Sequence, residues 1–553
     1  MTAKRVFRFA AIVFVIALCT GLSLAAKPSL FYSQVGYRPD EPKYLALEET
    51  ASKFQVIGVS DNKPVFEGKI VGPIEDAATG EQYWQGDFSS LTQPGIYYIL
   101  VDGKTRSEKF SIAADVWAVP QRLVLRSYYL QRCGVAIKDQ ESKVRHAACH
   151  QRDALVAFAD SFHKGGERLE NKGGWHDAGD YGKYISTAGI SIYTMLSAYE
   201  LYPERLKADD LEIPESGNKI PDLLDEVRFE IEWMLKMQLP DGGVYHKIGG
   251  STWPGGVAPE SDPTTRYIYG VSTSATAKFA ASIAYAARIY KTVDPAFADR
   301  LLAAAKLSWK FLGNSDISPD PVGPDNNGSG AYPDRSVMDD RFATAVELYL
   351  STGDAVYQKY AQEHIPSIAH HPNWEDGSAL AMFHYAKAKK DSSALKMQQL
   401  LTSAAKTLAV KTQQSVFRVT MSKEEFAWGS NRELMGDSIV LFLANELTPN
   451  PEFVKAGTTQ LHYIFGLNPM GKSYVAGLGY NPVLHPHHRI YQSSGRVVPG
   501  LMADGPNSHG ESGVEPKNLG AKSYVDQTEA YSCNEPAIDI NANLFFVIVA
   551  ANK

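Results

Sequence analysis

Gly-Gly-Trp-His-Asp-Ala-Gly-Asp-Tyr-Gly-Lys-Tyr-Ile occupies residues 173–185 and concentrates acidic, aromatic and glycine residues in one stretch. Two carboxylates, Asp177 and Asp180, lie three residues apart, and the glycines permit turns that hold such groups in a fixed geometry. Apolar residues then recur at spacings of three and four, which predicts a helix from Ile185 onward. Asp180 alone would be explained as a helix cap. The second carboxylate favours a reactive site with a partner elsewhere in the chain.

The composition is that of a soluble globular protein. Of the 553 residues, 44% are hydrophobic and 21% charged, and the formal net charge is -7. A chain of this length is predicted to form about two to four domains. Nucleic-acid binding is excluded as a function class, because the sequence contains no basic run and no basic-aromatic stripe.

Residues 1–26 have the composition of a secretory signal peptide. Three basic residues precede an uncharged run of 18 residues that ends in Leu-Ala-Ala. This order matches a charged region, an apolar region and a small-residue cleavage site. The apolar run is near the lower limit for a membrane span, so a retained anchor is the alternative. We expect a secreted or periplasmic protein without membrane attachment after cleavage.

Residues 27–113 are predicted to form a small antiparallel β-sandwich of the immunoglobulin-like type. Short β-branched and aromatic runs alternate there with turn signals such as Ser-Asp-Asn and Asp-Gly. The predicted strands cover residues 43–47, 54–59, 96–101 and 109–112. We find no catalytic motif in this region.

Residues 114–553 are predicted to be helical, with about a dozen amphipathic or apolar segments and no strand-rich region between them. A linear helical array and a closed ring of helix pairs are the two alternatives. No fixed repeat of about 34 to 47 residues is present, which favours the closed barrel. The active site would then form from long loops at one end of the barrel, at residues 164–180, 244–270, 313–338 and 466–534.

The last of these loops ends in a second acidic motif. Glu535 stands just before the apolar C-terminal helix, as Asp180 stands before the helix at Ile185. A glutamate in a first helical turn is ordinarily explained by the helix dipole. The chemical interpretation pairs Asp180 with Glu535 as base and acid. The nearby histidines at 485, 487 and 488 are too close in sequence for all three to reach one metal ion.

These stretches together resemble glycoside hydrolase family 9, in the subgroup with an immunoglobulin-like domain before an (α/α)6 barrel. Four segments carry the resemblance in the family's order: residues 34–37, 177–180, 473–489 and 524–542. Ala476 departs from the family pattern, which usually has Ser, Thr or Val there. This departure affects no proposed catalytic residue.

The resemblance implies hydrolysis of β-1,4-glucosidic bonds in cellulose or related β-glucans, with inversion and most simply by an endoglucanase. Asp180 would be the general base, Asp177 would help to hold the attacking water, and Glu535 would be the general acid. Inversion requires acid and base on opposite faces of the sugar, about 6.5–9.5 Å apart. Their environments must also push their pKa values apart.

The resemblance also implies that His487 and Arg489 bind the sugar at the cleavage point, with Asp526 bonded to the same site. We therefore group His487 and Asp526 with the catalytic residues. Aromatic rings stack on pyranose faces, although each is equally expected in the core. The candidates are Trp175, Tyr181, Trp253, Trp428 and Tyr531.

A metal site is the second prediction. Cys133, Cys149, His150 and His176 offer two thiolates and two imidazoles, which is a closed set for structural zinc. Export favours the alternative of a disulfide between the two cysteines. Similar residues hold zinc in the family subgroup, so the resemblance implies zinc here. We expect Cys533 to be a buried free thiol.

Two acidic loops, at residues 260–262 and 325–327, offer oxygen ligands for calcium. Neither has a recognisable ligand spacing, so a solvated loop is the simpler interpretation. We expect no organic cofactor and a monomer. Two other functions are alternatives: an exo-acting β-glycosidase on cello-oligosaccharides or glucosamine oligosaccharides, and a non-catalytic glycan-binding protein. The presence of Asp177, Asp180 and Glu535 argues against the latter.

Overall fold

The computed structural model describes residues 29–313, 328–334 and 336–552. The predicted signal peptide and the acidic loop at residues 325–327 lie outside the described residues. Among the helices that are described, none is both long enough and apolar enough to cross a membrane.

The N-terminal part is an antiparallel β-sandwich with strand order β1-β2-β5-β4-β3-β6-β7 and with β8 paired to β6. The strands are β1 (Leu30–Phe31), β2 (Tyr44–Leu47), β3 (Lys53–Gly58), β4 (Pro64–Glu75), β5 (Gln82–Asp87), β6 (Gly95–Val101), β7 (Thr105–Arg106) and β8 (Phe110–Ile112). Phe54, Val56 and Ile99 are among the side chains of its buried core. The sequence did not predict β4 and β5, because most residues of β4 are exposed and polar residues interrupt both strands.

The remaining chain is an (α/α)6 barrel. Its helices are α1 (Ala118–Leu130), α2 (Ile185–Leu201), α3 (Asp222–Lys236), α4 (Thr273–Tyr290), α5 (Pro295–Gly313), α6 (Met338–Thr352), α7 (Ala355–Glu363), α8 (Ser378–Ala388), α9 (Ser392–Lys411), α10 (Ser430–Leu447), α11 (Pro451–Ile464), α12 (Arg489–Ser494), α13 (Tyr531–Asn534) and α14 (Ile538–Ala551). Helices α2, α4, α6, α8, α10 and α14 contact one another in that order and close back on α2.

The two layers of the barrel follow from composition. Every residue of the inner helix α14 is buried, and its sequence is apolar on nearly all sides. The outer helix α9 instead buries one stripe of small and apolar residues at spacings of three and four. A helix that is apolar all round belongs inside, and a striped helix belongs at the surface. The inner ring therefore forms the core, and its loops build the site.

Short strands that the sequence did not predict occur among these loops, although no strand-rich region separates the helices in the described part of the chain. They are β9 (Ile137–Lys138), β10 (Arg145–His146), β11 (Leu155–Val156), β12 (Lys183–Tyr184), β13 (Lys247–Gly250) and β14 (Arg266–Ile268). The last four form one sheet in the order β11-β14-β13-β12. Strands of two to four residues are too short to leave a periodic pattern in sequence. Strand β12 leads directly from the 173–185 loop into α2.

A residue of the β-sandwich, Gln34, stabilises the long C-terminal loop through hydrogen bonds. The Gln34 side-chain amide donates to the carbonyl of Gly471 at 2.8 Å. The Gln34 Oε1 atom accepts the backbone N–H groups of Tyr480 at 3.1 Å and Asn481 at 2.9 Å. One buried side chain of the small domain thus fixes the loop that continues to His487.

Candidate active site

The 173–185 loop is held in shape by its own backbone. Asp177 N–H donates to the carbonyl of Gly182 at 2.9 Å. Gly182 N–H in turn donates to Asp180 Oδ1 at 3.2 Å. The Lys183 ammonium donates to the carbonyls of Asn171 at 3.0 Å and Gly173 at 2.9 Å. These contacts fix both carboxylates relative to the start of α2.

Gly179 joins this loop to the C-terminal motif. Its N–H donates to Glu535 Oε1 at 3.0 Å, and its carbonyl accepts the Arg489 N–H at 2.9 Å. A Cβ atom at position 179 would lie 2.0 Å from the carbonyl oxygen of His487, so only glycine fits. The close approach brings Asp180 and Glu535 to the same place, although they are far apart in sequence.

Asp180 and Glu535 line one cavity of about 480 Å³. Two tryptophans at its walls, Trp253 and Trp428, are 50% and 43% exposed, so the cavity communicates with solvent. The other charged and aromatic residues of its wall are Asp177, Tyr184, Tyr332, Trp374, Arg432, Asp504 and Asp539. This combination of convergent carboxylates and aromatic walls is typical of a carbohydrate-processing site.

The two oxygens of Asp177 are both occupied by hydroxyl groups. Tyr332 donates to Asp177 Oδ2 at 2.6 Å, and Thr187 donates to Asp177 Oδ1. Burial raises the pKa of Asp177 well above its usual range, while these two donors oppose the shift. The Asp177 carboxylate is therefore held in one orientation by hydroxyl groups from two different segments.

The electrostatics separate Glu535 from Asp180. Burial raises the pKa of Glu535 well above its usual range, and the nearby Asp180 and Asp504 raise it further, although the Arg489 charge and the Gly179 N–H oppose the shift. Burial also raises the pKa of Asp180, but the Arg489 charge and the Gly182 N–H oppose the shift. Glu535 is thus the carboxyl that retains its proton, and Asp180 is the one that ionises first.

His487 and Arg489 form a hydrogen-bonded pair beside this cavity. Arg489 donates through Nη1 to His487 Nε2 at 3.1 Å. His487 donates through Nδ1 to the carbonyl of Thr528 at 2.6 Å, which fixes the neutral tautomer. Burial lowers the pKa of His487, in agreement with that tautomer. The Arg489 guanidinium also lies 5.7 Å from the Trp253 ring centroid.

Asp526, predicted as part of the catalytic set, does not line the cavity. Its oxygens accept the Lys472 ammonium at 2.6 Å and the backbone N–H groups of Leu484 and His485, each at 2.9 Å. Asn534 also donates to it at 3.2 Å. Asp526 therefore organises the loop next to Glu535; like His487 and Arg489 it is not a wall residue of the cavity, and its participation in catalysis stays a prediction.

The aromatic candidates divide into cavity and core. Trp253 and Trp428 line the cavity, and Tyr531 packs on Trp428 with ring centroids 5.5 Å apart. Trp175 is fully buried and donates through Nε1 to Glu226 at 2.8 Å. Tyr181 is buried against His176 and donates to the carbonyl of Val257 at 2.6 Å. Neither of these two rings is available to a sugar, so their assignment to substrate binding was wrong.

Six charged or aromatic wall residues were not predicted from the sequence. They are Tyr184, Tyr332, Trp374, Arg432, Asp504 and Asp539. Each lies in a loop or short strand between helices, or within the first turn of an inner helix, where no periodic pattern marks it. The sequence signal that could have identified these residues is the occurrence of aromatic and acidic residues at the same end of successive helices.

The four predicted metal ligands come together on the other side of the 173–185 loop. One ligand atom from each of Cys133, Cys149, His150 and His176 lies within 4.8 Å of all the others. The two sulfurs are 4.0 Å apart, and both cysteines are free thiols, so they form no disulfide. Cys533 is a buried free thiol, as predicted.

Three of the donor–donor distances fit a tetrahedral ion, and the sulfur–sulfur distance of 4.0 Å is slightly longer than the ideal value. Bonds of about 2.3 Å to sulfur and about 2.0 Å to nitrogen would place tetrahedral donors about 3.3 to 3.8 Å apart. Cys133 Sγ lies 3.5 Å from His150 Nδ1, and Cys149 Sγ lies 3.8 Å from His176 Nε2. The two imidazole nitrogens are 3.3 Å apart. This set can hold a metal ion with no open position.

Asp262 supports one of these ligands from outside. Its Oδ2 atom lies 3.2 Å from His150 Nε2, so the ring presents Nδ1 to the cluster. The sequence had offered this loop as a calcium site. Within the described ranges, the Cys/His set is the one group of three or more residues with metal-binding geometry. The Asp262 carboxylate is used by His150 instead.

Comparison with known proteins agrees with this geometry. The family model "Glycosyl hydrolase family 9" matches residues 120–548, and "Cellulase N-terminal ig-like domain" matches residues 25–106. Endoglucanase D of Acetivibrio thermocellus is 32% identical, with 93% of this chain and 82% of that protein covered.

Two solved structures are similar over nearly the whole chain. A metagenome-derived family 9 endoglucanase superimposes with a TM-score of 0.91 at 43% identity, covering 95% of this chain and 98% of the other. A Zn-binding triple mutant of the family 9 endoglucanase J30 has a TM-score of 0.89 at 35% identity, covering 93% and 99%. The matched models, the barrel and the paired carboxylates lead to one conclusion: this chain belongs to glycosyl hydrolase family 9.

Proposed function

We propose that this protein is an inverting, endo-acting hydrolase of β-1,4-glucosidic bonds in cellulose-type β-glucans. The observation that carries the proposal is the presence of Asp180 and Glu535 in one cavity, with Glu535 held by the Gly179 N–H. The endoglucanase activity named for the relatives supports this bond type and substrate class. The predicted signal peptide supports export, where a polymeric substrate is accessible.

Asp180 acts as the general base in this proposal. A water molecule attacks the anomeric carbon from the face opposite the leaving oxygen, and its proton passes to the Asp180 carboxylate. Asp177 lies beside Asp180 and is fixed by the hydroxyl groups of Thr187 and Tyr332. It is placed to accept a hydrogen bond from that water and so to orient it.

Glu535 acts as the general acid. The glycosidic carbon–oxygen bond breaks as the Glu535 proton moves to the leaving oxygen, and the new bond to water inverts the anomeric centre. The raised pKa of Glu535, caused by burial and by the neighbouring Asp180, maintains the proton that this step requires. One proton is accepted and one is donated, so the next turnover needs only proton exchange with solvent.

The sugar is held by polar and aromatic contacts. Arg489, which is oriented by its hydrogen bond to His487 and lies against the Trp253 ring, has further N–H groups to offer the sugar, and Trp253 and Trp428 offer half-exposed ring faces. Platforms at solvent-exposed walls suit a polymer that continues beyond the cavity, which favours endo-action over release from a chain end.

The mode of action is testable with carboxymethyl cellulose. We expect viscosity to fall early, while few reducing ends have formed, because internal bonds are cut. The Glu535→Gln protein serves as the matched inactive control. Reducing ends that accumulate in proportion to a slow loss of viscosity would identify exo-action instead. Binding of the polymer without any bond cleavage would identify a glycan-binding protein.

We further infer that Cys133, Cys149, His150 and His176 hold one zinc ion. The closed set of two thiolates and two imidazoles suits zinc, which would supply structural cross-linking and leave no position for substrate. These side chains then join the end of α1, the 137–156 segment and the 173–185 loop. His176 directly precedes Asp177, so the cluster anchors the catalytic loop.

Metal analysis tests the zinc assignment. Protein dialysed against metal-free buffer should contain about one zinc per chain, and the Cys149→Ser variant should contain much less. The Cys533→Ser variant is the matched control, because that thiol lies outside the cluster. A metal-free wild-type protein, or zinc content unaffected by Cys149→Ser, would contradict the assignment.

A further inference from the structure

Asp504 is a buried cavity carboxyl that the proposed mechanism leaves unused. Its backbone is fixed beside the general acid: its N–H donates to the carbonyl of Glu535 at 2.8 Å. Its own carbonyl accepts the Asn431 N–H at 2.9 Å. The residue is 4% exposed and lines the same cavity as Asp180. Its position relative to Glu535 and to the start of α10 is therefore well determined.

The side chain of Asp504 makes one hydrogen bond. Its Oδ2 atom accepts the indole N–H of Trp428 at 2.7 Å. In the part of the chain that the structure describes, no lysine, arginine or histidine forms an ion pair with it, and Oδ1 accepts no other hydrogen bond. Burial raises the pKa of Asp504 to about 8. Oδ1 is not among the buried side-chain atoms that lack a partner, and the residue lines the cavity, so this oxygen is available to a hydroxyl group of a ligand.

Trp428, the hydrogen-bond partner of Asp504, is itself a wall residue of the cavity. The indole is 43% exposed, lines the cavity and packs on Tyr531. A platform on a cavity wall must hold its ring plane in one orientation, and the single polar atom of the indole is its N–H. The Asp504 carboxyl accepts that N–H, and the Asp504 backbone is hydrogen-bonded to Glu535. Asp504 therefore contacts both the Trp428 ring and the general acid.

We propose that Asp504 is a specificity-determining residue, which positions the Trp428 ring and presents its second oxygen to a hydroxyl group of the sugar bound beside Glu535. The inference rests on the function proposed above, since it names a sugar contact of that site. It adds that a β-glucan with a free hydroxyl group at this place is preferred over one that is substituted there.

A double-mutant cycle between Asp504 and Trp428 tests this proposal. Michaelis parameters are measured on cellopentaose for wild type, Asp504→Ala, Asp504→Asn, Trp428→Phe and Asp504→Ala/Trp428→Phe. We expect Asp504→Ala to raise KM about tenfold, with kcat reduced less than about threefold, because hydrogen bonds to bound sugar are lost. Asp504→Asn should stay within about threefold, because its side-chain carbonyl still accepts the indole N–H.

The cycle separates positioning from a general structural effect. Trp428→Phe keeps an aromatic ring, loses the N–H donor and should raise KM about threefold. In that background, Asp504→Ala should cost only about threefold in KM, since part of its effect acts through the indole. The matched control is Asp299→Ala, an exposed carboxylate on α5 that should leave both parameters unchanged.

Several outcomes would overturn the proposal: a KM changed less than twofold by Asp504→Ala, or the same cost of Asp504→Ala in both backgrounds. If Asp504→Ala fails to fold, Trp428→Phe removes the same hydrogen bond from the other side, and an unchanged KM in that variant is equally decisive. Failure of the proposed function is distinguishable, because wild type would then not cleave cellopentaose at all.

Discussion

The 173–185 loop has two faces that carry opposite kinds of site. His176 directs its imidazole toward Cys149 and His150, whereas the next residue, Asp177, lines the cavity. Both side chains are almost completely buried. On the His176 side the four donors face one another. On the Asp177 side the carboxylates face a cavity of about 480 Å³.

This difference indicates that the two faces of the loop have different functions. Donors that are all directed at one point leave no room for substrate, so they stabilise structure. Carboxylates directed at open volume have room for water and a sugar, so they are available for chemistry. Because His176 directly precedes Asp177, we infer that the first site helps to fix the geometry of the second. We therefore expect variants at the cavity face to lose activity, and variants at the metal face to lose stability and activity together.

The largest effect is expected on the cavity face, from Glu535→Gln. We expect kcat on cellopentaose to fall about a thousandfold, because the leaving oxygen loses its proton donor. Activity on a dinitrophenyl β-cellobioside should be reduced much less, since that leaving group needs no protonation. The alkaline limb of the kcat–pH profile should also disappear, because Glu535 must be protonated and deprotonates as the pH rises through its raised pKa.

Glu424→Gln is the matched control for this variant. Glu424 is an exposed glutamate that does not line the cavity, and its substitution should leave kcat and the pH profile unchanged. If Glu535→Gln lost the same factor of activity on the activated and the unactivated substrate, the assignment of Glu535 as the general acid would be contradicted.

An intermediate effect is expected on the metal face, from His176→Ala. We expect the unfolding midpoint to fall by about 5 °C and kcat to fall about tenfold together, because a lost ligand loosens the segment that carries Asp177 and Asp180. Calorimetry and steady-state kinetics on the same preparation measure both. His370→Ala, at an exposed histidine, is the control. Loss of zinc with full activity would separate the two faces and contradict their coupling.

The smallest effect is expected from Asp262→Asn. This change keeps the shape of the side chain but removes the charge that faces His150 Nε2. Zinc affinity should fall about tenfold, as measured by competition with a chromophoric chelator, while activity at saturating zinc stays near wild type. An unchanged zinc affinity would show that Asp262 does not support the ligand.

Much of the fold was readable from the sequence because the inner and outer helices differ in composition. The apolar run at residues 537–550 predicted a terminal helix, and the structure has this helix at Ile538–Ala551 in the inner ring, with every residue buried. The short strands β12 and β13 could not be predicted from the sequence. They pair with each other from loops that are distant in sequence, and such pairing depends on tertiary contacts. The same holds for β4, whose exposed residues carry no burial signal.

The metal set was predictable because cysteine and histidine identities are themselves chemical signals. The sugar platforms were harder, because a tryptophan in the core and one in a cavity wall look alike in sequence. Trp175 is held in the core by Glu226, whereas Trp374 reaches the cavity from a loop with no pattern. Asp526 was placed near the site correctly, but its four hydrogen bonds show a positioning contact that residue type does not reveal.

The central claim is that Asp180 and Glu535 act on opposite faces of the sugar, and proton NMR of the first-formed product tests it most directly. Cellopentaose is mixed with enzyme at high concentration, and anomeric signals are recorded before mutarotation equalises them. The account predicts that the α-anomer appears first at the newly formed reducing end. Initial appearance of the β-anomer would show retention and would contradict the assignment of Asp180 as the base that activates water.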